Sequence, residues 1–319
     1  MRREYSFDKV RSALQSAVDH GVVEGLGFVV RREDATIFKE AFGGYTVDKS
    51  TVIWSATKLA STTAVMSVID EGLADLDDPI VKYIPEFTDV AATITIRQLL
   101  AQTHGLPADH PTIANPLRDN GLTLAESVIQ IARDRQPEYP PGSRHRYAPA
   151  ASYAIAGRIA EIVTGREWGN LFEERVSGPL MMRTFTYGET RNPRLGGGAA
   201  AGLEDYANLL QMHLANGVFR GRRVLSEEAC LEMRRDQLHG VPFAPTVLKP
   251  QVGYGLTWWF DEVDASRRAI QLSVPGGLGA IPWINLDRGY LAFLLLRKDM
   301  ASSLRVYEEL LPLLHEALA

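Results

Sequence analysis

The sequence predicts an α/β (α+β) protein: one antiparallel sheet flanked by terminal helices, with an all-helical region inserted between its strands. Strand-like patterns occur at both ends of the chain, at 27–30 and 36–42 and again at 254–260, 269–274, 280–285 and 290–296. The stretch from about 75 to 188 is rich in helical periodicity and polar in its links. A long helical pattern over 302–318 closes the chain and matches one near the start. Strands from the two ends meet in one sheet if the helical stretch leaves it as an excursion. The expected organisation is therefore a sheet region made of 1–74 and 189–319 and a helical region, 75–188.

Each element has a local cause. Residues 7–21 carry Val10, Leu14 and Val18 on one helical stripe. The strands 27–30 and 36–42 flank a Glu33-Asp34 turn. A helix is expected to open at Ser55 and run to about Gly72, a plausible C-cap. Helices follow at 96–102, 124–133 and 150–164, and another over 203–216 is entered from the glycine run 196–198. That run lacks the lysine of a P-loop and does not follow a strand, so it is not read as a phosphate cradle.

The chain has 319 residues, enough for one large domain or two intimate ones with ample core. Hydrophobic residues make up 45% and charged residues 23%, as in ordinary globular proteins. A net charge of -5 gives no electrostatic case for nucleic acid. No apolar run reaches membrane-spanning length, and the longest, 291–296, reads as a buried strand. Arg2 and Arg3 are not followed by an apolar segment, so no signal peptide and a cytoplasmic location are expected. Cys230 is the one cysteine, which excludes an internal disulfide and fits a reducing compartment. Its context, Ser226-Glu227-Glu228-Ala229-Cys230-Leu231, is a capped amphipathic helix, so Cys230 is read as packing. The seven histidines show no ligand spacing, so neither a metal nor another cofactor is expected.

The chemical signal is Trp54-Ser55-Ala56-Thr57-Lys58. A serine hydroxyl needs a neighbouring base to become a nucleophile. Residues three apart share a helix face, so Lys58 can reach toward the Ser55 oxygen. The free N–H groups and positive potential of a helix start favour a neutral lysine and a developing anion.

The stretch KSTVIWSATKLASTTAVMSVIDEGLADLDDPIVKYIPEF, followed by ITIRQLLAQTHGLP, resembles the serine β-lactamase and penicillin-binding-protein superfamily, most closely its class C-like branch of esterases and D-aminopeptidases. The resemblance continues through Pro141-Gly142 to Tyr147, Gly196-Gly197-Gly198-Ala199, Tyr254-Gly255-Leu256 and Gly276 to Gly279, and so covers nearly the whole chain. It implies the β-lactamase-like fold, with the active site in a groove between sheet and helices. Ser55 and Lys58 match the first motif, and Tyr147 matches the tyrosine of the second. Pro149 stands where that motif usually has asparagine, which contacts a substrate amide. In the third motif Val274 replaces the usual lysine or histidine, before Pro275-Gly276-Gly277. Val274 and Gly276 are expected to line the substrate groove, and the N–H groups of Ser55 and Gly277 to form the oxyanion hole. His104 stands where the family often has serine and is expected to have a structural or groove-edge role, as is His145. Trp258, Trp259 and Trp283 are candidates for an apolar acyl pocket or for core.

The expected function is a serine hydrolase of esterase type, acting on a small-molecule ester or related acyl substrate through a Ser55 acyl-enzyme, with neither nucleic acid nor membrane as partner. An acyltransferase using the same acyl-enzyme is the alternative. The missing asparagine and cation argue against β-lactamase or D-peptidase activity. Intact Ser55, Lys58 and Tyr147 argue against a non-catalytic binding protein.

Overall fold

A computed structural model describes residues 5–108, 115–243 and 252–319. Helix α1 (Asp8–Asp19) leads into strands β1 (Gly25–Arg32) and β2 (Ala35–Gly43). Glu33 and Asp34 join them with φ of 53° and 48°, the left-handed pair whose twist suits a two-residue hairpin. A short strand β3 (Thr51–Val52) and a 3₁₀ turn (Trp54–Ala56) precede α2 (Thr57–Asp70). The helical stretch holds α3 (Ile96–Leu100), α4 (Leu124–Asp134), α5 (Pro149–Thr164) and α6 (Trp168–Phe172). Then come β4 (Ala200–Ala201), α7 (Leu203–Leu214), the small hairpin β5 (Val218–Phe219) and β6 (Arg222–Arg223), and α8 (Glu227–Met233). Strands β7 (Gly253–Tyr254), β8 (Trp259–Val263), β9 (Ala269–Ser273), β10 (Ala280–Asn285) and β11 (Tyr290–Leu296) precede the closing helix α9 (Met300–Ala317).

Seven strands form one antiparallel sheet in the order β2-β1-β11-β10-β9-β8-β7. The first strand thus pairs with the last, from Leu26 opposite Leu296 to Arg32 opposite Tyr290. The period-two rule assigns alternate residues to opposite faces. Phe28, Val30, Ala292 and Leu294 face the core under α1 and α9, while Val29, Leu291, Phe293 and Leu295 join the larger core with α2, α5 and α7. Helix α2 is buried from Thr57 to Val68 on every side. Some of its hydroxyls are satisfied by the helix itself, as where Thr63 donates to the Leu59 carbonyl at 2.8 Å and Ser67 to that of Ala64 at 2.7 Å, and others by neighbours, as where Ser61 donates to the Leu195 carbonyl at 2.7 Å. Cys230 is buried within α8, whose N-cap is Ser226, in agreement with a packing role. No helix among the described residues is long and apolar enough to cross a membrane.

Two sequence expectations need adjustment. The helix expected to open at Ser55 begins as a 3₁₀ turn and becomes α-helical at Thr57. The single strand expected over 254–260 is two antiparallel strands, β7 and β8. Thr257, at φ 79°, turns the chain between them, and the Gly255 N–H donates to the Trp258 carbonyl at 2.9 Å. A left-handed threonine leaves no trace in hydrophobic periodicity.

Three histidines are buried in this core, and burial pushes their pKa values down: His104 to about 3, His145 to about 4 and His213 to about 3. The unfolded chain binds protons near pH 6.5 that the native state refuses. Stability is therefore unaffected by these groups above about pH 6.5 and falls as pH drops from there toward 4. Each group fully charged only in the unfolded chain contributes a slope of about 1.4 kcal/mol per pH unit, so the three together contribute about 4. Urea unfolding at a series of pH values should show this. His145→Phe, which retains contact with Phe243, Tyr254 and Trp259, should flatten the slope by about one proton. An unchanged slope would mean that His145 is charged in the native protein.

Candidate active site

Ser55 sits on a turn clamped from three sides. On one side, β3 pairs with β4, the Ile53 N–H donates to the Ala199 carbonyl at 2.9 Å, and the Ala199 N–H donates to the Thr57 hydroxyl at 3.1 Å. From below, the Tyr206 hydroxyl donates to the Ala56 carbonyl at 2.6 Å. Opposite, Gly276 presses against the turn: a Cβ there would lie 2.0 Å from the Ile53 carbonyl oxygen and 3.2 Å from the Ala56 nitrogen. Only glycine permits that approach. Trp54, preceding the serine, has φ 49°, a left-handed conformation that costs a bulky residue energy and is held by this clamp.

Lys58 lies one helical turn beyond Ser55 and is completely buried. Its Nζ donates to the Ser55 carbonyl at 2.8 Å and to the Tyr147 hydroxyl, and the Tyr147 hydroxyl donates to Ser55 Oγ at 2.8 Å. Burial drives the Lys58 pKa well below the usual lysine value. Burial also raises that of Tyr147, only partly offset by its hydrogen bond to Ser55. Both shifts favour the neutral forms, an amine with a free lone pair beside an intact phenol. The three side chains named from the first and second motifs thus converge on one hydrogen-bonded chain.

Gln102, which the sequence reading did not single out, brackets Tyr147. Its backbone carbonyl accepts from the Arg146 N–H at 3.0 Å and its Oε1 accepts from the Ala148 N–H at 2.9 Å. Its Nε2 donates to Ser152 Oγ at 3.0 Å and to the Leu99 carbonyl at 2.9 Å. The residues on both sides of the phenol are thereby tied to one fully buried side chain. Trp259 packs on the Tyr147 ring with centroids 5.6 Å apart. A lone glutamine after an apolar helical run carries no sequence signal of such a role.

Other expected site residues fall differently. Gly277 is exposed, and a Cβ there would meet nothing within 4 Å. No backbone hydrogen bond among the described residues uses the N–H of Ser55 or Gly277. Pro149 opens α5 and is half-buried beside the site, with no side-chain donor to offer. Val274 was expected to line the groove, but it is fully buried in the larger core. His104 was expected at a structural position or the groove edge and counted among substrate-binding candidates. It is fully buried, its Nδ1 accepting from the Leu106 N–H at 3.0 Å, which fits the structural role and not the substrate-binding one. Trp258 is core. Trp283 is on the opposite face, donating to Tyr290 at 3.0 Å, so neither forms an acyl pocket. The glycine run 196–198 instead walls the site: a Cβ on Gly197 would lie 3.8 Å from the Ser55 nitrogen.

Gly276→Ala must displace backbone of the Ser55 turn and should slow fluorophosphonate labelling of Ser55 by at least about tenfold, whereas Gly277→Ala should leave the melting temperature within about 1 °C. Gln102→Ala removes the acceptor of the Ala148 N–H and should cost about 1–3 kcal/mol of stability. Thermal unfolding and timed labelling read both. A Gly276→Ala protein that labels at the normal rate would mean that the turn is not held as described.

A family model for Beta-lactamase matches residues 10–311. A Bacteroides dorei protein solved as a candidate beta-lactamase superposes with a TM-score of 0.86 at 29% identity, covering 97% of this chain and 99% of that one. EstCE1, a hydrolase with promiscuous acyltransferase activity, shares the fold with a TM-score of 0.79 at 19% identity, covering 97% of each chain. An uncharacterized protein of Mycobacterium tuberculosis (strain CDC 1551 / Oshkosh), MT1414, is 26% identical over 349 aligned positions, covering 87% of this chain and 84% of its own. The β-lactamase-like fold, the Ser55 turn at its groove and a match from the first helix to the last place this chain in the beta-lactamase family.

Proposed function

We propose that the protein is an esterase-type serine hydrolase that cleaves small ester or related acyl substrates through an acyl-enzyme on Ser55. The observation that carries this is the chain from buried Lys58 through Tyr147 to Ser55 Oγ. For attack the two hydroxyls and the amine rotate so that Ser55 donates to Tyr147 and Tyr147 to the Lys58 lone pair; the Ser55 oxygen then bonds to the acyl carbon while its proton passes to the Tyr147 oxygen and the Tyr147 proton passes to Lys58. The carbonyl oxygen becomes an oxyanion facing the N–H groups of Ser55 and Gly277. Collapse breaks the bond to the leaving alkoxide, which takes a proton from Tyr147, and Tyr147 recovers one from Lys58. Water repeats the cycle on the acyl-enzyme and releases the acid. An alcohol in place of water gives acyl transfer by the same steps. EstCE1, the structural relative described as a hydrolase with promiscuous acyltransferase activity, makes an added alcohol a natural competitor to include.

Ser55→Ala should abolish turnover and labelling, a loss on the order of 10⁶ in rate. Lys58→Ala and Tyr147→Phe should each cripple acylation, with the double variant hardly worse than either single one. Losses that multiply would break the shared proton chain.

Turnover needs the neutral amine. Ester kcat/KM should therefore fall as pH drops through a single ionisation whose midpoint lies below the free-lysine value of about 10.4. Lys58→Arg should stay inactive at every pH, and an unaltered profile in that variant would remove Lys58 from the proton path.

Short neutral esters should outpace penicillins and cephalosporins. Pro149 has no amide for the substrate's peptide-like bond, and Val274 supplies no charge for a carboxylate on the leaving half. A hydrogen bond to a charged group contributes about 1.5–3 kcal/mol, so its absence weakens such substrates by at least about tenfold. Nitrocefin hydrolysed as fast as p-nitrophenyl acetate would overturn this preference.

A further inference from the structure

A cavity of about 160 Å³ is walled by Trp54, the residue preceding Ser55. Trp54 and Gly197 form the wall nearest the serine, and Pro149 borders it on the side of the Tyr147 segment. Its inner lining includes the buried side chains of Leu117, Ala154 and Leu195. Among the described residues its charged lining side chains are both arginines, Arg118 and Arg194, and none is acidic. Both arginines are exposed, and neither guanidinium has a hydrogen bond or ion pair among the described residues. Elsewhere on this surface arginines lie against carboxylates, as Arg11 does on Glu40 at 2.6 Å and Arg268 on Asp287 at 2.9 Å. Two unpaired guanidiniums around a small, partly apolar cavity, one residue from the nucleophile, form a receptor for a planar anion.

We propose that this cavity is the acyl subsite and that Arg118 and Arg194 receive a carboxylate carried on the acyl half of the substrate, which makes the substrate a half-ester of a short dicarboxylic acid. This rests on the Ser55 acyl-enzyme reading. The cavity's size and enclosure suit the half that stays bound to the serine, since the leaving alcohol must depart to solvent. The opposite side of Ser55, where Gly276 and Gly277 run, has no cation at position 274 to hold a carboxylate on the leaving half. The apolar lining accepts the methylene spacer, and the rim arginines accept the terminal charge without desolvating it deeply. In the step itself, Ser55 Oγ bonds to the ester carbonyl carbon, the bond to the leaving alkoxide breaks, and water later frees the dicarboxylate.

The test compares kcat/KM for 4-nitrophenyl hemiglutarate with that for 4-nitrophenyl valerate, a neutral ester of similar length, after subtraction of uncatalysed hydrolysis. The wild-type protein at low salt should favour the hemiglutarate by at least about tenfold, as one charge-assisted contact predicts. Raising the ionic strength should shrink that ratio, because the arginines are exposed. Arg118→Gln and Arg194→Gln should each cut it several-fold, and Arg194→Glu should reverse it. Circular dichroism checks that these surface variants fold, and the salt series tests the idea on the unmodified chain. Valerate turnover with a ratio near one, or a ratio that ignores both salt and the arginine substitutions, would overturn the subsite while leaving the esterase reading intact. Turnover of neither ester, with no Ser55 labelling, would overturn both.

Discussion

The arrangement around Ser55 depends on taking the Lys58 ammonium group out of water. A charged amine in a low-dielectric interior is expensive unless paired. Lys58 has a backbone carbonyl and a phenol around it, and only burial shapes its pKa. The fold thus uses desolvation to favour the neutral amine. The cost falls on stability, and the surroundings supply it: α2 is buried on all sides between sheet and helices, so the amine has no path to solvent.

That helix can be buried so completely because the sheet is closed by its two ends. Pairing β1 with β11 puts the start and end of the chain side by side and gives the sheet two apolar faces. One face takes α1 and α9. The other takes α7 and, through it, the Ser55 turn, which Tyr206 holds by the Ala56 carbonyl. Gly276, where the chain leaves β9, presses on the same turn from the sheet edge. The Ser55 turn is therefore fixed by sheet, helix and glycine run together, which explains how a left-handed Trp54 is tolerated.

Much of this was legible in the residues. Continuous apolar runs located β10 and β11 to the residue, and the 3.6-residue stripes located α1, α4 and α5 to within about two residues. The serine–lysine spacing and Tyr147 identified the groups that converge, since i and i+3 adjacency is local geometry and Tyr147 came from the family pattern. Val274 was expected in the groove and lies in the core. Position along a motif says which strand or loop carries a residue, while the side-chain direction at a strand end or inside a loop is set by packing.

By itself the sequence determined the fold class, the order of most elements and the pairing of Ser55 with Lys58, because each rests on periodicity or short-range spacing. Only the tertiary structure decided that Gln102 ties down the residues around the phenol, that the glycine run lies against the Ser55 amide, and that Arg118 and Arg194 meet at one cavity. Those juxtapositions join segments scores of residues apart. Contacts of that range come from how helices pack on a sheet, and no local pattern in the chain encodes them.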